Sequence, residues 1–161
     1  MPLPRTMLDA QTPSDADLEI VQGSWPEDIS GEYFLSSPDP NFKGRHAFFA
    51  DGLIYRLSMR KGTFGAPKDK LAWRHAVVET PSQRLHAKHP DIWNVTSYGY
   101  MSPLGYLNSA NTAQVPWGDR LFLTWDAGRP VEIDPVSLKF LGELGSRTSW
   151  KENQPLPILP M

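Results

Sequence analysis

Arg120-Leu121-Phe122-Leu123-Thr124-Trp125, then Asp126-Ala127-Gly128-Arg129-Pro130, then Val131-Glu132-Ile133-Asp134, is the stretch on which the fold of this chain turns. The first run is apolar and short, the length of a buried strand. The second holds Gly and Pro and reverses the chain. The third alternates apolar with acidic residues, the pattern of a half-buried strand. Just upstream, Ala113 to Val115 runs into a tight turn, Pro116-Trp117-Gly118-Asp119. Downstream, Pro135 to Phe140 turns again and Leu141-Gly142-Glu143-Leu144 closes the unit. Three short strands in about thirty residues suit one blade of a propeller, whose four-stranded units recur at roughly 40 to 45 residues. The pattern alone fits an antiparallel sandwich or barrel equally well.

Further upstream, His46-Ala47-Phe48-Phe49, Ala50-Asp51-Gly52 and Leu53 to Met59 read as a hairpin, because Asp-Gly between apolar runs reaches positive φ cheaply. Leu71 to Thr80 reads as a strand with Trp73, His75 and Val77 on one face, ended by Pro81. Glu32 to Leu35 reads as a short strand, and Ser36 to Gly44, with two prolines, as a loop. Ser82 to Asp91 is polar and basic, a solvated loop or short helix. Residues 1–17 form an irregular arm, and residues 18–161 the folded part.

Sixteen prolines scattered through 161 residues leave few windows for a helix, while six tryptophans, seven phenylalanines and five tyrosines favour pleated surfaces. The expected class is therefore all-β with many turns. A net charge of −2 gives no basic footprint for nucleic acid. The absence of cysteine removes disulfides and zinc–thiolate sites and fits a cytoplasmic protein. No stretch approaches a membrane span, although peripheral membrane contact stays open. No phosphate-binding Gly-rich loop and no Gly-x-Ser-x-Gly elbow is present.

Two stretches resemble the carotenoid oxygenase family, which includes the lignostilbene dioxygenases and the retinal pigment epithelial membrane protein. The first is Gly31-Glu32-Tyr33-Phe34, Pro38-Asp39-Pro40 and His46 through Ile54. It is similar to the family's Gly-x-Tyr, Gly-Pro-x-Pro and His-Trp-Phe-Asp-Gly-Asp-Gly-Met. Ala50, Phe49 and Ser36-Ser37 depart from that pattern. The second is Asn111-Thr112-Ala113, Gly118-Asp119-Arg120-Leu121, Thr124 through Pro135, Leu138 and Leu141-Gly142. It resembles Ala-Asn-Thr, Gly-x-Arg-Leu and Leu-Trp-Glu-x-Gly-x-Pro-Tyr-x-Leu-Asp-Pro. Trp73-Arg74 with Glu79-Thr80-Pro81 falls at the family's Arg-x-Val-x-Thr, and the likeness spans roughly residues 18–145.

The resemblance implies the first blades of a seven-bladed β-propeller. It implies a non-haem Fe(II) dioxygenase that uses O₂ to cleave a conjugated double bond of a carotenoid, apocarotenoid or stilbene-type substrate. The family's iron is held by four histidines, the first in an Ala-His-Pro context after the region matching Leu144. That expectation puts every ligand past Met161, so this chain holds no catalytic residue, no iron and no activity of its own. His46 matches a structural histidine. By resemblance Asp126 stands where a glutamate accepts a hydrogen bond from the outer nitrogen of an iron-bound histidine, which would fix that ring. Read from its residues alone, Asp126 is a turn aspartate before Gly128.

The remaining candidates have quieter readings. His75 is expected as a satisfied core or interface histidine. His86-x-x-His89-x-Asp91 has facial-triad spacing if helical, but Arg84 and Lys88 beside it favour a solvated loop. Glu132 and Asp134 read as solvated charges on a strand, and Asn94-Val95-Thr96 as an unused glycosylation acceptor. The competing function is a β-rich binding module, or non-catalytic remnant, without iron.

Overall fold

The computed structural model describes residues 14–26, 28–41, 47–59, 70–90, 101–102, 105–126 and 128–146. Ten strands are found among them: β1 (Ser14–Glu19), β2 (Glu32–Pro38), β3 (Gly52–Ser58), β4 (Lys70–Val77), β5 (Met101–Ser102), β6 (Gly105–Tyr106), β7 (Ala113–Trp117), β8 (Arg120–Thr124), β9 (Val131–Ile133) and β10 (Phe140–Glu143). One helix, α1 (Pro81–Lys88), follows β4. Two four-stranded antiparallel sheets carry the architecture, ordered β1-β4-β3-β2 and β10-β9-β8-β7, and β5 and β6 form a small ribbon.

The second sheet is a meander whose turns follow the sequence. Gly118, at φ +62, completes the two-residue connection between β7 and β8. Pro116 is tolerated because β7 pairs only with β8 in this sheet, so its missing donor faces no ladder. Asp134 closes the β9–β10 turn by accepting from the Val136 and Ser137 amides at 3.0 and 2.6 Å. Leu138, at φ +62, then drops its side chain into the core.

Each sheet buries one face against the other. Ile54 and Ala76 of the first sheet pack with Leu121, Leu123, Val131, Ile133 and Leu138 of the second, with Phe34 and Phe140 at the margin. Burying a side chain such as Leu123 contributes about 1.5–3 kcal/mol relative to leaving it in water. The innermost contact joins β2 to β7. Ser36 Oγ donates to Gln114 Oε1 (2.9 Å), and Gln114 Nε2 donates to the Phe34 carbonyl (2.9 Å). Farther out, Arg56 and Arg74 both donate to the Val136 carbonyl at 3.1 Å.

Several expectations are corrected. The irregular arm expected through Asp17 is cut short, because β1 begins at Ser14 and pairs with β4 from Ser14↔His75 to Glu19↔Lys70. The loop expected from Ser36 is still strand as far as Pro38, which sits at the end of its ladder opposite Gly52. The Asp51-Gly52 hairpin is absent: Ala47–Phe49 is a single 3-10 turn, and β3 pairs with β2 and β4 instead. The Asp39 amide donates to the Asp51 carbonyl at 2.7 Å, closing a long connection rather than a tight one. Of the two readings open for Ser82 to Asp91, solvated loop or short helix, the structure has the helix, α1. Thr80 caps it by accepting from the Gln83 amide at 3.1 Å, and Pro81 pre-sets the first turn.

Candidate functional site

The chemistry-bearing residues collect where three irregular segments meet: the 47–52 corner, Asn108–Asn111, and Trp125-Asp126 after β8. Asn108, Ser109, Ala110 and Asn111 are all buried without regular structure, so their polar groups need partners inside the protein. Asn108 Oδ1 accepts from the Ala110 amide (2.6 Å), and its Nδ2 donates to the Arg129 carbonyl (2.9 Å). Asn111 Nδ2 donates to the carbonyls of Ala50 (2.7 Å) and Phe48 (3.1 Å). Trp125 Nε1 donates to the same Phe48 carbonyl at 2.9 Å, while its indole lies 5.2 Å from the Phe48 ring and 6.2 Å from that of Phe49.

Ala110 adopts φ +58, a left-handed conformation that disfavours a residue with a Cβ. Its carbonyl points at Gly52. A Cβ at position 52 would lie 2.2 Å from Ala110 O and 2.7 Å from Ser109 O. Glycine is required there for backbone approach, not for a turn.

Beside this contact, Asp51 Oδ1 lies 2.7 Å from His86 Nδ1, with His86 buried and Asp51 half-buried. Asp51 was expected as a turn residue and His86 as part of a solvated loop; the fold joins them and thereby fastens α1 to the start of β3. His89 is exposed at the C-cap of α1. His75 is buried on the opposite face of the first sheet, 5.9 Å from the Tyr55 ring. His46, Asp91 and Asn94 lie outside the described residues.

Asp126 is exposed, immediately after buried Trp125. Glu132 is paired with Arg120 (2.6 Å), whose guanidinium holds its carboxyl below the usual glutamate range. Asp134 is a turn cap, and the Ser137 amide and hydroxyl lower its pKa. A cavity of about 310 Å³ opens along β1 and β4, lined by Asp15, Asp17, Arg56, Trp73 and Arg74. Its charges are already matched: Arg74 Nε lies 2.5 Å from Asp15, and Arg56 donates to Glu32 at 2.8 Å.

Among the described residues, no group of three or more His, Cys, Asp or Glu side chains is placed to hold a metal ion. His75, His86 and His89 belong to no such group, so these residues do not make an iron site. Sequence reading overlooked the Asp51–His86 pair and Asn108, and held Asn111 only as part of the Asn111-Thr112-Ala113 likeness, without a role. The available signal was an Asn-x-x-Asn run, 108–111, lacking the Gly or Pro of an ordinary loop.

Two adjacent four-stranded sheets packed face to face, inner strand beside inner strand, define neighbouring blades of a β-propeller. Comparison with known proteins agrees. The family model described as Retinal pigment epithelial membrane protein (RPE65) matches residues 7–155, and the chain belongs to that family, the carotenoid oxygenases. The chain is 28% identical over 136 residues to the chloroplastic carotenoid cleavage dioxygenase 7 of Oryza sativa subsp. japonica, covering 78% of this chain and 22% of that protein. It is 28% identical over 159 residues to the apocarotenoid-15,15'-oxygenase of Synechocystis, covering 89% of this chain and 31% of the relative. A Glu-to-Asp variant of the Synechocystis apocarotenoid oxygenase superposes with a TM-score of 0.64 at 23% identity, over 86% of this chain and 30% of that one. The chain therefore spans between a fifth and a third of the relatives it matches.

Proposed function

We propose that the chain supplies two neighbouring blades of an oxygenase that cleaves a carotenoid or apocarotenoid, and that by itself it is catalytically silent. The observation that carries this reading is the family match across residues 7–155. Both curated relatives named above are described as oxygenases of such substrates. Ferrous iron, when bound in the longer polypeptide, would supply activation of O₂ for oxidative cleavage of a conjugated double bond. A stilbene-type substrate is the variant of this reading with the same reaction. The residues of this chain would serve as scaffold: Asn111 and Trp125 fix the 47–52 corner, and Gly52 lets the Ser109-Ala110 backbone approach β3 there.

Asp126 is the residue proposed to orient an iron-bound imidazole. Its exposed position, anchored by buried Trp125, leaves the carboxylate available to a group from another part of the polypeptide. We place the protein in the cytoplasm, with any membrane contact peripheral.

The test uses a polypeptide that joins this chain to the missing blades, reconstituted anaerobically with Fe(II). Cleavage of an apocarotenoid to two carbonyl products is expected, and Asp126→Asn should weaken iron retention about 10- to 100-fold. A polypeptide that retains no iron and cleaves nothing would favour the β-rich binding module. Unchanged iron content in the variant would remove Asp126 from the role.

A further inference from the structure

From side-chain geometry and burial, and not from the proposed chemistry, we infer that β1 is a latched strap. It lifts from the first sheet as a unit, and Arg74 couples its docking to that of the β9–β10 turn on the second sheet. Within its sheet β1 pairs with β4 alone. Asp15, Ala16, Asp17 and Glu19 are exposed and Leu18 is half-buried, so β1 adds no residue to the core around Ile54 and Leu123. A strand that buries so little opens at a lower free energy than the strands beside it. The connection toward β2 does not pin it: Val21 is 95% exposed, and a Cβ at Gly23 or Gly31 would meet nothing within 4 Å.

The latch is one guanidinium. Arg74 Nε and Nη2 donate to the two carboxylate oxygens of Asp15 at 2.5 and 2.6 Å, and Nη1 donates to the Val136 carbonyl at 3.1 Å. The fork is planar, so its donors keep one fixed geometry. Arg74 cannot follow Asp15 outward without loosening its hold on Val136. Arg56 stands directly opposite Arg74 in the β3–β4 register and donates to the same carbonyl. Like charges facing each other across a ladder repel. Asp15 offsets that repulsion at Arg74, as Glu32 does at Arg56. Losing the Asp15 charge therefore acts on the turn as well as on β1. The strap also forms part of the wall of the cavity of about 310 Å³, where Asp15, Ala16 and Asp17 join Arg56, Ser58 and Arg74 in the lining. Lifting β1 opens that wall.

Native-state amide hydrogen exchange of the 161-residue chain tests this. Amides of residues 14–19 are expected to exchange at least about tenfold faster than those of residues 53–57, at a rate that urea below the unfolding transition leaves unchanged. Asp15→Asn should speed exchange about two- to fivefold at residues 14–19 and, through Arg74, at Ser137 and Leu138, but not at residues 53–57. Arg74→Lys keeps the charge without the fork and should act in the same way. Glu19→Gln removes a charge from the other end of β1 and should leave Ser137 and Leu138 as they were. The chain has no cysteine, so Ser58→Cys places a single thiol in the cavity wall. Its labelling by a thiol reagent should quicken with Asp15→Asn by the factor seen at residues 14–19. Exchange at residues 14–19 as slow as at residues 53–57 would mean that β1 opens only with the whole molecule, and would overturn the strap. An Asp15→Asn effect confined to residues 14–19, or one at Ser137 and Leu138 that Glu19→Gln reproduces, would overturn the coupling. A labelling rate indifferent to Asp15→Asn would take the cavity out of the strap's control.

Discussion

His86 Nδ1 sits 2.7 Å from Asp51 Oδ1, and this contact ties α1, the only α-helix among the described residues, to the residue that leads into β3. His86 is buried and Asp51 half-buried, so loss of either leaves a polar group poorly reached by water. His86→Ala is expected to lower unfolding stability by about 1.5–3 kcal/mol, read from urea midpoints at one protein concentration. Asp51→Asn keeps an acceptor oxygen and should cost less. The double variant should lose less than the sum, because the two residues share one interaction.

Gly52→Ala should be among the most damaging small substitutions. The added methyl would meet Ala110 O at 2.2 Å and Ala110 C at 2.5 Å, and these are backbone atoms that cannot rotate aside. A loss of about 3 kcal/mol is expected in the same urea titration. Gly23→Ala is the comparison: its added methyl meets nothing within 4 Å, and only the φ of +82 penalises it, by about 1 kcal/mol.

Asn111→Ala would deprive the Ala50 and Phe48 carbonyls of a donor, whereas Trp125→Phe removes one donor from Phe48 alone. We expect about 2–4 kcal/mol for the first and about 1 kcal/mol for the second. Amide hydrogen exchange around residues 47–52 should accelerate in the same order.

Acid should destabilise the chain through Asp134. The Ser137 amide, then its hydroxyl, hold that carboxyl below its ordinary value, so the folded state binds the proton less readily than the unfolded one. The resulting stability is present above the unfolded carboxyl's pKa, about 3.9, and is lost as pH falls through the folded value. Asp15, lowered by its hydrogen bond to Arg74, acts in the same direction. Asp134→Ala should therefore lower the urea midpoint at pH 7 and flatten its decline below pH 4.

How much of this was legible depended on whether a segment's partners were near in sequence. The run from Arg120 to Asp134 reads correctly because the strands it forms pair with their immediate neighbours and its turns carry Gly and Pro. The 46–52 segment misleads because Asp-Gly is a turn signal by composition, while its true partners, His86 and Ala110, are far along the chain. β1 was missed for the same reason: Ser14-Asp15-Ala16-Asp17 has no apolar alternation and becomes a strand only against β4. At the site, Asp126 and Asn111 were met through family likeness, but the carbonyls that Asn111 and Asn108 bind lie far away in sequence, and no motif specifies them.

The placement of β1 at the rim of the first sheet also sets an order of events during synthesis. β7 through β10 can zip up as each emerges, since every partner has just been made. Ser14–Glu19, although produced well before it, must wait until Lys70–Val77 has appeared before it has its partner strand. A ribosome pausing before that point would hold a nascent chain with this strand unmatched, open to chaperones and to neighbouring nascent chains alike.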